Sequence, residues 1–300
     1  MASILYNAFL SVVVVGLCTN KVYSNYPMNV TNQPIPTYER HLPPQQLECI
    51  DMIMSESELH YQQSGYEEIC GTFFIAQPDQ LISIEIENTT ADCDNGETIQ
   101  VVDGWLTKDN FLPGIYDHHL PTRSRIWDYC ERRGEDGRFS FTSSQNVALV
   151  QFRVFPGSEV SINFGKTSAD PRECILPRAL CNIVSPTSYG DHIMRSVRGR
   201  NCTFSMIQPT LLIITRIRIL PNQKYTNSSF VVPYVQILKG ETFDSNDMNV
   251  VAEFTRPTVS DEVLKFTLFG SHAAVRMTSY GHQDNEIWFS YSRISEPSQF

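Results

Sequence analysis

The most constraining feature of this sequence is a pattern that occurs twice. The first copy is CGTFFIAQP, from Cys70 to Pro78, and the second is CTFSMIQP, from Cys202 to Pro209. Each copy begins with a cysteine, continues with alternating apolar residues and ends at a proline. This arrangement is typical of a half-buried β-strand that a disulfide bond holds at its start. The repetition predicts two related β-rich units.

The cysteines support the same division, because each copy has a second cysteine upstream at the same distance. Cys49 precedes the first copy and Cys181 precedes the second. The equal intervals favour two equivalent disulfide bonds, Cys49–Cys70 and Cys181–Cys202, and Cys93–Cys130 is expected as a third. In the chain-entropy model each bond contributes about 3 to 4 kcal/mol. Cys174 is predicted to be unpaired. A zinc site is not expected, since the chain contains no Cys-x-x-Cys pair.

Apolar and polar residues alternate with a period of two through most of the chain. Ile82, Ile84 and Ile86 share one face of a predicted strand. The stretch from Ile213 to Leu220 alternates only approximately, which is compatible with a bulge or a slip in register. No segment of ten or more residues has a helical stripe. The predicted fold class is all-β, with antiparallel β-sandwiches.

The amino terminus carries an apolar run from Phe9 to Cys18 that is too short to cross a bilayer. It predicts a signal peptide over 1–20, with cleavage no later than residue 24, and a buried valine-rich strand is the alternative. The segment 21–46, rich in Pro, Asn and Gln, is predicted to be an extended arm. No later segment suggests a membrane span, so the product is expected to be secreted.

The charge and the glycosylation motifs fit an extracellular protein. The formal net charge of −10 provides no basic field for nucleic acid or for an anionic membrane surface. Four Asn-x-Ser/Thr motifs are candidate acceptors for glycans: Asn29, Asn88, Asn201 and Asn227. The predicted location is extracellular.

Five further segments carry a resemblance to a known family. They are ECIDM, VDGW, DHHLP, FTSSQNVA and RNCTFS, which occur in this order along the chain. Together with the repeated pattern they resemble the corticotropin-releasing factor-binding protein family, and in particular an invertebrate, insect-type member. The resemblance implies two tandem CUB-like jelly-roll domains, over 47–168 and 181–296, with a linker over 169–180.

The resemblance also implies a function. Members of this family are secreted glycoproteins that capture peptide hormones related to corticotropin-releasing factor, which in insects are the diuretic hormones of that type. Such peptides form amphipathic helices when bound, so capture requires an apolar surface with a polar border. The expected protein is a monomer or a weak dimer. The alternative is a generic extracellular CUB-type adhesion or protein-interaction module.

Catalysis and cofactors are not expected. The chain has neither a Gly-x-Ser-x-Gly motif nor a His-Glu-x-x-His motif. Many CUB domains bind calcium, and Glu97 matches one of the acidic positions, but another falls near Phe155, which offers no carboxylate. His118 and His119 are predicted to be a solvated pair rather than metal ligands. They lie in a long loop, 106–125, that is large enough to form part of a binding rim.

Three residues are candidates for contact with a peptide. The resemblance directs attention to Asp51, although Gln45 replaces a basic family position upstream. The alternative role of Asp51 is a turn aspartate that binds its own backbone. Trp105 and Trp127 are candidates because tryptophans often anchor interfaces, and the alternative for each is burial in a sandwich core.

Overall fold

The computed structural model describes most of the chain between residues 44 and 294. The described residues are 44–65, 69–107, 110–115, 117–168, 181–195, 201–220, 233–242, 247–255, 258–260, 262–278 and 285–294. Several sequence predictions lie outside the described residues and stay predictions. They are the signal peptide over 1–20, nearly all of the arm over 21–46, the linker over 169–180, Cys174, Asn29 and Asn227.

The first half of the chain forms a sandwich of two five-stranded sheets and a small hairpin. Its strands are β1 (Gln45–Gln46), β2 (Ile50–Ile53), β3 (Ser57–Gln62), β4 (Cys70–Ile75), β5 (Gln80–Glu87), β6 (Thr98–Asp103), β7 (Trp105–Thr107), β8 (Asn110–Leu112), β9 (Ile126–Asp128), β10 (Phe139–Thr142), β11 (Val147–Arg153) and β12 (Glu159–Ser168). One helical turn, α1 (Tyr129–Arg132), follows β9. One sheet has the order β1-β3-β12-β5-β10 and the other β2-β4-β11-β6-β9, while β7 pairs with β8.

The second half forms a sandwich from the remaining strands. These are β13 (Asn182–Val184), β14 (Tyr189–Arg195), β15 (Asn201–Met206), β16 (Thr210–Ile219), β17 (Tyr234–Gly240), β18 (Asn249–Phe254), β19 (Thr258–Ser260), β20 (Leu264–Leu268), β21 (His272–Thr278) and β22 (Glu286–Arg293). One sheet has the order β13-β15-β21-β17-β18. The other has the order β14-β22-β16-β19, and β20 also pairs with β16.

The two sandwiches have matching topology. In each half a short edge strand runs parallel to its neighbour, β2 beside β4 and β13 beside β15, whereas the adjoining pairs are antiparallel. The predicted all-β fold class, with two tandem sandwiches, is confirmed. The irregular alternation after Ile213 is explained as well, because the register of β16 against β22 shifts between Ile214 and Arg216.

Each sandwich buries its own core between its sheets. In the first, the predicted isoleucine face of β5 is fully buried with side chains such as Leu59, Val150 and Ile162. In the second, Phe204 and Val275 are fully buried and belong to the apolar core. Burial of these apolar side chains is the main stabilising contribution, at roughly 25 cal/mol per Å² of apolar area.

Three disulfide bonds connect the cysteines in the expected pairs. Two of them, Cys49–Cys70 and Cys181–Cys202, join the segment before the parallel edge strand to the strand beside it, and both have a Cα–Cα distance of 4.5 Å. The third, Cys93–Cys130, connects the loop before β6 to α1. The equal cysteine intervals therefore correspond to equivalent positions in the two folds.

A half-buried histidine generates a prediction about stability. His192 of β14 packs against two aromatic rings, with centroid distances of 4.5 Å to Phe204 and 5.8 Å to Phe289. Burial lowers the pKa of His192 from 6.5 to about 4. Because the folded-state pKa lies below the unfolded-state value, the contribution of the neutral ring is complete above pH 6.5 and is lost as the pH falls toward 4.

We expect acidification from about pH 7 to about pH 4.5 to lower the free energy of unfolding of the wild type by roughly 2 kcal/mol more than that of His192→Phe. The phenylalanine has no proton to gain and keeps the aromatic packing. Urea denaturation at both pH values measures the difference. Equal pH dependence in the two proteins would contradict the assignment.

Candidate functional site

The outer face of sheet β2-β4-β11-β6-β9 presents two neighbouring rows of side chains. Residues directly opposite each other on adjacent strands share a face, so the register determines the rows. The apolar row contains Met52, Phe73, Leu149, Val102 and Ile126. The polar row contains Ile50, Gly71, Gln151, Gln100 and Asp128. The two rows together make this face amphipathic.

The two ends of the apolar row differ in exposure. Hairpin β7–β8 covers the middle, where Leu149 and Val102 are buried in a small cluster with Trp105 and Val184. Toward β2 the row is open, and four large apolar side chains are exposed there. We call these four the β2 ridge: Ile50 (71% exposed), Met52 (48%), Met54 (47%) and Ile69 (62%). Solvent-exposed apolar groups concentrated in this way mark an interaction site more often than scattered ones do.

A cleft of about 300 Å³ lies beside the β2 ridge. It is lined by Ile69, Thr98, Gln100, Gln151, Phe152 and Arg153. Thr98 and Arg153 lie opposite each other in the row next to the polar row. Within the polar row, Gly71 lies between Ile50 and Gln151 and contributes no side chain. An apolar ridge and a polar cleft therefore adjoin on one sheet face.

The structure does not bring Asp51, Trp105 and Trp127 together on one surface. Asp51 is on the inner side of β2, in the same row as Thr72, Val150, Val101 and Trp127. Asp51 and Trp127 thus occupy opposite edges of the sheet. The Asp51 carboxylate accepts a hydrogen bond of 2.8 Å from the backbone N–H of Met52, so it contacts the neighbouring backbone, but within strand β2 rather than in a turn. Its contact with a peptide stays a prediction.

Both tryptophans contribute to packing. Trp105 is 2% exposed, and its indole N–H donates to the carbonyl oxygen of Phe74 at 3.1 Å. Trp127 is half-buried and packs on Phe141 with a centroid distance of 4.9 Å. Their contact with a peptide stays a prediction. The residues that the sequence reasoning missed are those of the β2 ridge. The sequence feature that could have revealed them is the alternation of β2, which places apolar residues on the outward-facing side of the strand.

Glu97 ties two loops together by direct hydrogen bonds. Its buried carboxylate accepts from the backbone N–H groups of Asp92 and Phe155 and from the Ser158 hydroxyl, the last at 2.6 Å. Its oxygens are thus engaged by protein donors at the position where the family resemblance suggested a calcium ligand. Within the described ranges, no group of three or more His, Cys, Asp or Glu residues could hold a metal ion.

Part of the long loop over 106–125 is buried between the two sandwiches rather than exposed at a rim. His118 is 8% exposed, so the prediction of a solvated histidine pair is wrong for this residue. Arg125 is fully buried and donates to the carbonyl oxygens of Asp103 at 3.0 Å and Pro113 at 2.8 Å. Burial lowers the pKa of Arg125 to about 10, and it therefore stays charged near neutral pH.

His118 and Asp103 form a polar cluster with Ser144. The Nε2 atom of His118 lies 3.5 Å from the Asp103 carboxylate and 3.1 Å from the Ser144 hydroxyl, and Nδ1 accepts from the Leu120 N–H. Burial raises the pKa of Asp103, but hydrogen bonds from His118 and Ser144 hold it below its usual value. Ser144 and Asp103 both contact the same ring nitrogen of His118. In the relay of a serine hydrolase, the serine and the aspartate contact different ring nitrogens, so this cluster does not have that arrangement.

The two sandwiches belong to one compact unit, which comprises Pro43–Ala169 and Arg178–Phe300. The fully buried side-chain amide of Asn146 connects them by bonding both backbone groups of Val184. It accepts from the Val184 N–H at 2.9 Å and donates to the Val184 carbonyl at 2.7 Å. Asn182 donates to the Asp117 carbonyl at 2.9 Å. Arg276 forms a buried ion pair with the Asp117 carboxylate at 2.7 Å. We call these contacts the joint.

The fold and this surface define a class: a disulfide-bonded protein of two β-sandwiches that presents a rigid, partly apolar face of the kind that binds other chains. A family model described as corticotropin-releasing factor binding protein N-terminal domain matches residues 38–168. The corticotropin-releasing factor-binding protein of Ovis aries is 31% identical over 256 residues, which cover 83% of this chain and 75% of that one. The Rattus norvegicus protein is also 31% identical, with 83% and 76% covered. The chain belongs to the corticotropin-releasing factor-binding protein family.

Solved structures give a weaker likeness. The CUB1-EGF-CUB2 domains of rat MASP-1 match with a TM-score of 0.26 and 11% identity, covering 81% of this chain and 99% of that chain. The CUB1-EGF-CUB2 domain of human MASP-1/3 matches with a TM-score of 0.27 and 11% identity, covering 78% and 98%. Likeness at this level carries no argument about function. In the described part of the chain, no helix has the length and apolar character needed to cross a membrane.

The joint generates a prediction. Replacing Arg276 by alanine leaves the buried Asp117 carboxylate without its cation, so we expect the free energy of unfolding to fall by about 3 kcal/mol. Urea denaturation followed by tryptophan fluorescence measures the loss. The matched control is Arg195→Ala, because Arg195 is 70% exposed and lies 3.8 Å from Glu286. The control should lose less than about 1 kcal/mol, and equal losses would contradict the role of the joint.

Proposed function

We propose that this protein is secreted, captures peptide hormones related to corticotropin-releasing factor, and limits their availability to receptors. In an insect such peptides would be diuretic hormones of this type. Family membership supports the ligand class, since the relatives are named corticotropin-releasing factor-binding proteins. The observation that carries the proposal is the exposed β2 ridge beside a polar cleft. No step of chemistry is required of the protein, which acts as a binder and not as an enzyme.

The amphipathic face suits a helical peptide. A helix of this kind places its apolar side chains at intervals of three and four residues, and a ridge of Ile50, Met52 and Ile69 can pack against them. Methionine adapts its shape to different partners, which favours binding of related peptides. Glu48, an exposed acidic residue just before the ridge strand, favours basic side chains on the polar side of the peptide.

The scaffold lowers the cost of binding. A free peptide of this type loses conformational entropy when it becomes a helix, so any further ordering of the protein would weaken the complex. The Cys49–Cys70 disulfide attaches the start of β2 to β4, and the four residues of β2 pair with β4 throughout. The ridge is therefore held in place before the peptide arrives. A monomer or a weak dimer is sufficient for this mode of binding.

A test compares two equivalent apolar-to-charged substitutions. Titration calorimetry of the purified protein with a synthetic corticotropin-releasing-factor-like peptide should give a saturable 1:1 isotherm. Met52→Glu should weaken binding about 30-fold or more, since it places a charge in the apolar contact. The control Ile193→Glu changes a side chain of similar exposure, 42%, in β14 of the second sandwich, and should bind as the wild type does.

The outcomes separate the alternatives. If the wild type does not bind the peptide at micromolar concentration, the hormone assignment is wrong and an extracellular adhesion or protein-interaction module becomes the better proposal. If both variants bind like the wild type, the ligand class stands but the β2 ridge is not the site.

Secretion and glycosylation complete the proposal. Asn88 is exposed at a turn directly after β5, with a φ of 51°, and is accessible to a glycosyl transferase. Asn201 begins β15 beside Cys202 and is half-buried in a paired strand, so it is the poorer acceptor of the two.

We therefore expect the protein to enter the medium of a eukaryotic expression host, and Asn88→Gln to migrate faster on a denaturing gel by the mass of one glycan. Asn201→Gln should shift mobility less. Treatment with an endoglycosidase that removes N-linked glycans should abolish the difference for Asn88→Gln. Unchanged mobility of that variant would show that Asn88 carries no glycan.

A further inference from the structure

The methionines of the two sandwiches differ sharply in exposure. The segment 43–169, which contains the first sandwich, has only Met52 and Met54, and both belong to the β2 ridge, with 48% and 47% of their surface exposed. The methionines of the second sandwich are at most 8% exposed: Met194, Met206, Met248 and Met277. Within the described ranges, solvent therefore reaches methionine side chains mainly at the candidate binding surface.

The two exposed methionines are not part of the core of the first sandwich. Ile53, which lies between them in the chain, is 5% exposed and belongs to that core, so alternation along β2 directs its neighbours outward. The described core of this sandwich contains no methionine. Met52 lies directly opposite Phe73 of β4, and a thioether beside an aromatic ring makes a favourable contact. A chemical change at either sulfur therefore alters the surface and leaves the core intact.

A solvent-exposed thioether reacts with peroxides. The sulfur lone pair attacks one oxygen of hydrogen peroxide, an S–O bond forms as the O–O bond breaks, and the proton of the transferred oxygen passes to the departing hydroxide, which leaves as water. The sulfur is oxidised and the peroxide is reduced. Ile50 and Ile69, the other ridge residues, have no atom that reacts in this way. Hydrogen peroxide carries no charge, so the net charge of −10 does not keep it away.

We infer that Met52 and Met54 form a peroxide-sensitive modification site, and that their oxidation to methionine sulfoxide lowers the affinity of the β2 ridge for peptide. This assignment rests on the proposed function and adds a chemical control of the same surface. An apolar peptide side chain that packs on the oxidised ridge removes water from a polar S–O group and offers no donor in return. The reduced protein therefore captures the peptide, and the oxidised protein binds it more weakly.

The first measurement tests whether oxidation is selective. The full purified protein is treated with a small molar excess of hydrogen peroxide, catalase removes the excess, and mass spectrometry of the digested protein gives the oxidation rate of each methionine. We expect Met52 and Met54 to react about tenfold faster than Met206 and Met277, because a buried sulfur meets the oxidant only when the fold opens locally. Equal rates at these four residues would overturn the assignment.

The second measurement tests the effect on binding. The catalase-treated protein is titrated by calorimetry with a synthetic corticotropin-releasing-factor-like peptide that has not met the oxidant. The oxidised wild type should bind about tenfold more weakly than the untreated wild type. The matched control combines Met52→Leu with Met54→Leu, which keeps the apolar character and the approximate volume but removes both sulfurs. It should bind like the untreated wild type before and after peroxide. Because this variant retains Cys174 and every other methionine, its insensitivity assigns the effect to the ridge.

The possible failures are distinguishable. If the wild type binds equally well before and after complete oxidation of Met52 and Met54, the control of affinity is wrong and the proposed function stands. If the double leucine variant loses affinity after peroxide as the wild type does, another residue is responsible and the inference is overturned. If the untreated wild type does not bind, the inference falls together with the proposed function. The melting temperature of the oxidised wild type should match that of the untreated protein, and a large fall would assign the weaker binding to a loss of fold and overturn the inference.

Discussion

The position of the candidate surface depends on how one edge strand is held. Strand β2 is only four residues long and has a hydrogen-bonded neighbour on one side, β4, so backbone pairing alone holds it weakly. The Cys49–Cys70 disulfide crosslinks the residue before β2 to the first residue of β4 and removes conformations from the unfolded state. With β2 attached in this way, Ile50 and Met52 can stay exposed without the strand leaving the sheet.

The duplicated fold shows how equivalent strands acquire different roles. Strands β13 and β15 correspond to β2 and β4, and carry the equivalent disulfide. In the second sandwich, however, the outward side chains of these strands are buried at the joint, among them Asn182, Val184 and Thr203. In the first sandwich the corresponding outward residues of β2 are apolar and uncovered. One copy of the edge therefore connects the halves, and the other is free to meet a partner.

The joint itself is polar. Asn146 satisfies both backbone groups of Val184, and Arg276 neutralises Asp117 away from water. Buried polar groups of this kind add little net stability but strongly penalise any arrangement that separates them. The loop over 106–125 is part of this arrangement, which explains why a segment rich in turn residues supplies buried side chains rather than a flexible rim.

The sequence by itself determined the strands, the two halves and the disulfide pairs, because alternation with a period of two and equal cysteine intervals are local properties of the chain. It also indicated the bulge near Ile214, where the alternation slips. Only the tertiary structure decided the β2 ridge, the cleft and the joint. Gln100 and Gln151 are distant in sequence, and only the register of antiparallel strands makes them neighbours. Ile50 and Trp105 are both hydrophobic, so their residue types alone do not reveal that one is exposed and the other buried. The difference depends on which element covers each part of the sheet face.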